Sequence, residues 1–151
     1  MRSCGILMHI TSLPSPYGIG TFGAEAERFA DWLSSAGQKY WQVLPIGPTG
    51  FGDSPYQPYS SFAGDPLMID LDELAENGYI ARSSVSGADY GADPSFVDYN
   101  KIRTCKLALL KEAYAGFTDD VGYTSFVMDE QDWLDDYALF AALKDKFGGR
   151  S

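Results

Sequence analysis

An α/β chain is expected here, one that opens as a parallel strand–helix–strand unit and then turns helical. Two short apolar segments, CGILMHI at residues 4–10 and YWQVLPI at residues 40–46, lack helical period and read as strands, the second one buried. Between them, Ala26, Phe29, Ala30, Leu33 and Ala36 share one helical face, with Glu25, Glu27, Arg28, Asp31 and Ser35 elsewhere. Strand, helix and parallel strand in quick succession make a right-handed crossover. No later segment reads as a strong strand. Parallel sheets are covered by helices on both faces, so two strands do not make a finished fold; either the architecture is unusual or the chain stops early.

The elements follow in order. Residues 11–21, TSLPSPYGIGT, carry Pro14, Pro16, Gly18 and Gly20 and form a loop. The helix after it stops at Gly37, suited to a left-handed terminus. Residues 47–66, GPTGFGDSPYQPYSSFAGDP, are too rich in Gly and Pro for a regular element and long for a plain connection. Phe51, Tyr56, Tyr59 and Phe62 argue against disorder there. Residues 67–71 read as a short extended piece, DELAENG as a brief helix ending at Gly78, and residues 83–97 as polar loop. A helix starts with Asp98 as N-cap and lines up Ile102, Cys105, Leu109 and Ala113. The last helix runs from about Trp133 to Phe147 with Asp132 as N-cap, Asp135 and Asp136 in its first turn, Lys144 and Lys146 near its end, and Gly148-Gly149 closing it. It is apolar enough to need a cover.

Composition narrows the function. The 151 residues include 21 acidic and 11 basic side chains, and a net charge of −10 disfavours nucleic acid and anionic lipid as partners. Lys101, Arg103, Lys106 and Lys111 share one helix and read as a solvated face. Cys4 and Cys105, without metal spacing, read as reduced, buried residues of a cytoplasmic protein. No signal peptide or membrane span is recognised, and a single histidine leaves little for a zinc site or a Ser-His-Asp triad. There is no phosphate-binding loop ending in Lys-Ser/Thr, and GIGTFG follows a Pro-rich loop instead of the strand a dinucleotide fingerprint requires. Asp119-Asp120 and Asp135-Asp136 read as a loop and a helix start, not as a catalytic pair.

In parallel α/β proteins ligands lie at the carboxyl ends of strands. That directs attention to residues 9–17 and 47–66. The second loop joins Asp53, Ser54, Tyr56, Gln57 and Tyr59 to several glycines, the inventory of a carbohydrate subsite: carboxylate, hydroxyl and amide for sugar hydroxyls, and aromatic faces for sugar C–H faces. A structural loop folded over the sheet edge accounts equally well for the same residues.

Four blocks, GILMHITSLPSPYGIGTFG (5–23), YWQVLPIGPTGFGDSPYQ (40–57), SSFAGDPLMIDLDEL (60–74) and WLDDYALFAALKDKFGG (133–149), resemble in order and spacing the amylomaltase or disproportionating-enzyme family of 4-α-glucanotransferases, glycoside hydrolase family 77. The likeness spans essentially the whole chain. Asp65 departs from it, since FAGNP with Asn is the more frequent form. The resemblance implies the N-terminal portion of a (β/α)8 TIM barrel, its first two strands at residues 1–66 and a mostly helical inserted subdomain at residues 67–151, the barrel being incomplete. It implies transfer of α-1,4-glucan segments between maltooligosaccharides by retaining double displacement, with two carboxyl groups roughly 5 Å apart. Those carboxylates lie on later strands in the family, so no catalytic residue is expected in this chain; such a barrel takes about 250 residues. What the resemblance places here is one wall of the sugar cleft. Tyr56 matches the tyrosine that stacks on the donor sugar, Asp53 and Ser54 match polar positions of the cleft, and Phe51 sits near a further glucan contact. His9, at the end of the first strand, is placed to face the site or to serve as a satisfied core residue. Arg103 lies on a helix associated with secondary glucan binding but offers no stacking ring, and it is left out of the site. No cofactor, metal, membrane or protein partner is expected. The rival reading is a short protein that binds glucan or a partner without catalysis.

Overall fold

The computed structural model of the protein describes residues 2–93 and 95–148. β1 (Gly5–Leu7) and β2 (Tyr40–Gln42) pair in parallel, Ile6 opposite Trp41, and α1 (Ala24–Ser35) makes the crossover. Both strands are shorter than their apolar segments. The ladder adds one bond beyond Leu7, from the Met8 N–H to the Gln42 carbonyl at 3.0 Å. The chain then closes into a 3-10 turn at Ile10–Ser12, while β2 runs towards Pro45, which has no N–H to donate. The second strand is not buried as expected: Tyr40 is 65% exposed and Val43 and Ile46 are also exposed. The cause is the narrow sheet, which α1 backs through the Phe29 ring, 4.9 Å from that of Trp41. The same narrowness limits the α1 stripe, of which Ala26 and Leu33 are buried and Phe29 half-buried, whereas Ala30 and Ala36 are exposed.

Gly37 does end α1 in the left-handed region, at φ 71°. Its N–H donates to the Ser34 carbonyl at 3.0 Å, and that of Gln38 to the Leu33 carbonyl at 2.9 Å, so the turn satisfies carbonyls the helix leaves open. At the other end α1 has no side-chain cap on Gly23. A carboxylate from elsewhere lies there instead. Asp70 accepts from the Thr21 hydroxyl at 2.5 Å and, through its other oxygen, from the Glu73 N–H at 3.0 Å, which caps α2 (Leu71–Glu76). A Cβ on Gly23 would lie 2.0 Å from the Asp70 carboxylate, so that close approach needs glycine.

Past the crossover the chain is helical: α3 (Arg82–Gly87), α4 (Tyr99–Ala115), α5 (Val121–Asp129) and α6 (Leu134–Lys146). Residues 83–97 are thus not all loop. A single buried residue, Val85, anchors α3 in the cluster of Leu71, Ile80, Leu109 and Ala113, a signal too sparse for periodicity to register. Residues 67–71 are not extended either; Asp65 caps a 3-10 turn at Pro66–Met68, and α2 starts at Leu71. Asp98 caps α4 as expected, with Ile102, Leu109 and Ala113 buried. Asp132 does not cap α6: the turn from α5 is closed by the Trp133 and Leu134 N–H groups on the Glu130 carbonyl, which leaves Trp133 in the cap position. Asp120 caps α5, accepting from the Tyr123 N–H at 2.7 Å. Gly148 follows α6 with φ 63°, and Gly149 lies outside the described residues. The cover that α6 needs comes in part from the 47–66 loop. Phe62 stacks on Trp133 at 5.7 Å and Tyr59 lies 5.7 Å from Phe140, with Leu139 and Phe147 still exposed. Neither cysteine is fully buried; Cys4 is exposed and Cys105 half-buried, and both are free.

The basic face of α4 is solvated only in part: Lys101 and Lys111 are exposed, whereas Arg103 is half-buried and Lys106 turns inward. Lys106 is 0% exposed and donates to the carbonyls of Leu67 at 2.6 Å and Ile69 at 2.8 Å. Burial pulls its ammonium down to about 8, opposed by the charge of Asp70. Ile102, one turn earlier on α4, joins Ile19 and Leu67 in a second cluster; a third unites Ile10, Leu13, Ala26 and Met68 under the sheet. Lys106→Met keeps most of the buried volume but orphans two carbonyls. It is expected to cost roughly 2–4 kcal/mol, read from denaturant melts of the full-length protein carrying this chain.

Candidate functional site

The loops after β1 and β2 converge. His9, Thr11 and Ser12 from the first, Leu44, Thr49, Asp53, Pro55 and Asp65 from the second, and Tyr99 from α4 enclose a cavity of about 180 Å³. This lies beyond the carboxyl ends of the two parallel strands, where such architectures bind ligands. His9 is not the satisfied core histidine that was the alternative for it: its Nδ1 is buried without a hydrogen-bond partner. Burial lowers its pKa, against the opposing pull of the Asp65 charge.

The 47–66 loop is folded, not slack. Thr49 and Pro58 form an antiparallel bridge, the Tyr59 N–H donates to the Pro48 carbonyl, and a 3-10 turn spans Phe51–Asp53. Asp53 has φ 52°, the one positive φ outside glycine among the described residues. Its Oδ1 accepts from Arg103 Nη2 at 2.5 Å. Arg103 also donates to Thr49 Oγ1 at 3.5 Å, so a residue set aside on sequence grounds is in contact with the candidate loop. What sequence lacked was the partner: an Arg on a helix shows no sign of which acid across the fold it meets.

Of the other expected residues, Ser54 is half-buried and its Oγ accepts from the Tyr56 N–H at 3.3 Å. Tyr56 is 71% exposed and stands outside the cavity. Phe51 opens the 3-10 turn, and its side chain lies outside the described part of the structure. The structure therefore brings His9 and Asp53 together around one cavity and leaves Ser54 and Tyr56 on its rim. Asp65, 7% exposed, was not foreseen as a lining residue. Its side chain accepts from the Leu67 N–H at 2.9 Å, while burial raises its pKa against the pull of that bond and of Arg103. Among the described residues no group of His, Cys, Asp and Glu is placed to hold a metal, and no helix is long and apolar enough to cross a membrane.

The profile of the 4-alpha-glucanotransferase family, glycoside hydrolase family 77, matches residues 8–151. The chain belongs to this family. It is 49% identical over 142 residues to a 4-alpha-glucanotransferase of Clostridium butyricum, covering 93% of this chain and 29% of that one. It is 48% identical over 154 residues to the Thermus thermophilus 4-alpha-glucanotransferase, covering 98% and 30%. Among solved structures, the amylomaltase of Streptococcus agalactiae in complex with acarbose superposes with a TM-score of 0.91 at 42% identity, over all of this chain and 31% of that one. The chain thus spans about 30% of the length of these 4-alpha-glucanotransferases.

Asp65 supplies a test of the site's electrostatics. A folded carboxyl that holds its proton more tightly than the unfolded one weighs against folding once ionised, and that penalty fades as pH falls and the folded group is protonated. Asparagine keeps an oxygen for the Leu67 N–H and carries no charge. Asp65→Asn is expected to raise the melting temperature at pH 7, the gain shrinking towards the ordinary carboxyl range near pH 4, as followed by scanning calorimetry at both values.

Proposed function

We propose that the chain is the first part of a 4-α-glucanotransferase that passes α-1,4-glucan segments between maltooligosaccharides by retaining double displacement. Residues 1–66 begin a (β/α)8 barrel and residues 67–151 contribute a helical insert. One observation carries the reading: the loops after two parallel strands meet at a cavity lined by His9, Asp53 and Asp65 in a chain that superposes over its whole length on an amylomaltase in complex with acarbose. In this reading His9, Phe51, Asp53, Ser54 and Tyr56 form one wall of the sugar cleft.

The division of labour follows from chemistry. Tyr56 offers an exposed ring whose face suits the C–H side of a pyranose, and its N–H bond to Ser54 ties it to the turn beneath. Ser54 and Asp53 present oxygens to sugar hydroxyls. His9 lines the cavity with an imidazole able to exchange a hydrogen bond with a hydroxyl. These groups bind and orient; the carboxyl pair that breaks and remakes the glycosidic bond comes from outside this chain. Two unpaired cysteines fit a cytoplasmic location. The non-catalytic reading is not favoured, since the relatives compared carry the transferase name.

The full-length protein carrying this chain should convert maltotriose into glucose and longer maltooligosaccharides. Tyr56→Ala is expected to slow that transfer by up to about tenfold, the worth of a lost aromatic contact. Because the ring is exposed, stability should change by less than about 0.5 kcal/mol. Transfer kinetics equal to wild type would remove Tyr56 from the site.

A further inference from the structure

We propose that Arg103 is a positioning residue for the sugar loop, acting through its ion pair with Asp53 to set where Ser54 and Tyr56 stand. The inference rests on the transferase reading above and adds to it a residue outside the cavity lining.

A non-glycine residue at φ 52° is disfavoured by its own Cβ and persists only where the surroundings hold it. For Asp53 the hold is Arg103, whose Nη2 lies 2.5 Å from Oδ1. The two side chains are 37% and 33% exposed, so the pair is only partly screened. Ser54 follows directly, and the Tyr56 N–H is bonded to its hydroxyl. Tyr56 is mostly exposed, so the backbone before it fixes its direction, and that backbone passes through Asp53.

Arg103 can act as a fixed post because its helix cannot shift. Its neighbour Ile102 is fully buried, and Lys106, one turn on, grips the Leu67 and Ile69 carbonyls immediately past the loop's far end. The loop is therefore held near both ends by α4, at Asp53 and at residues 67–69. Arg103 does not line the cavity, which separates it from the groups that meet substrate.

The test is steady-state maltotriose disproportionation by the full-length protein. Arg103→Gln is expected to raise KM roughly tenfold, the scale of a small misplacement, with kcat changed less and the melting temperature nearly unmoved. Asp53→Asn, which tolerates the left-handed backbone, should raise KM at least as far, because Asp53 also lines the cavity. The double variant should lose little beyond Asp53→Asn alone, because Arg103 acts through Asp53. Arg103→Lys should recover part of the loss. A wild-type KM in Arg103→Gln, a drop in melting temperature without a change in KM, or fully multiplicative losses in the double variant would each overturn the inference. If Arg103→Gln fails to fold, Arg103→Met takes its place, since Arg103 does not line the cavity: raised KM at an unchanged melting temperature supports the pair and unchanged KM overturns it. Wild-type protein without transfer overturns the enzyme reading itself, a result distinct from all of these.

Discussion

A lysine with no exposed surface ties this part of the molecule together. By donating to the carbonyls of Leu67 and Ile69, Lys106 fixes helix α4 against the segment where the long loop returns to the core. The clusters on either side depend on that attachment. Leu67 packs with Ile19 and Ile102, its neighbour Met68 packs under the sheet with Ile10 and Leu13, and Leu71 leads into the cluster beneath α3. Backbone carbonyls in a 3-10 turn have no ladder to join, and a buried ammonium meets that need with more than one donor. The arrangement is polar, but it stands where a hydrophobic contact could not satisfy the turn.

The charge distribution takes on meaning in the same place. The chain carries a net charge of −10, yet two of its few cations are turned inward from one helix, one onto carbonyls and one onto a loop carboxylate. Asp65 is buried within reach of both charges, desolvation raising its pKa while the two cations lower it. Such a site, its cations already engaged with carbonyls and a carboxylate, suits the neutral ligand proposed for it, which hydrogen bonds and ring faces would recognise.

Much of the backbone was legible in the residues. The crossover followed from two apolar runs flanking an amphipathic stripe, and Gly37, Asp98 and Gly78 mark helix ends because caps are local chemistry. What escaped was set by tertiary contact. Val85 makes α3 a helix through one buried side chain, and Lys106 reads as surface until its carbonyl partners arrive from far along the chain. Strand length misled for the opposite reason: apolar residues such as Tyr40 and Val43 promise burial, but a sheet of two strands has no layer to provide it. In the candidate site the sequence and its family resemblance pointed to the loop and to Asp53, Ser54 and Tyr56. The structure adds that Asp53 sits in a left-handed turn against Arg103 and that His9 has an unpaired nitrogen.

The contact between Gly23 and Asp70 has a consequence for how this sequence can drift. One carboxylate serves the starts of two helices, lying at the first turn of α1 while capping α2. Any side chain at position 23 would push Asp70 aside and disturb both at once, and any longer acid at position 70 would press on a glycine that cannot retreat. A side chain at position 23 therefore requires a smaller one at position 70, so in related sequences the two should record each other's history despite their distance along the chain.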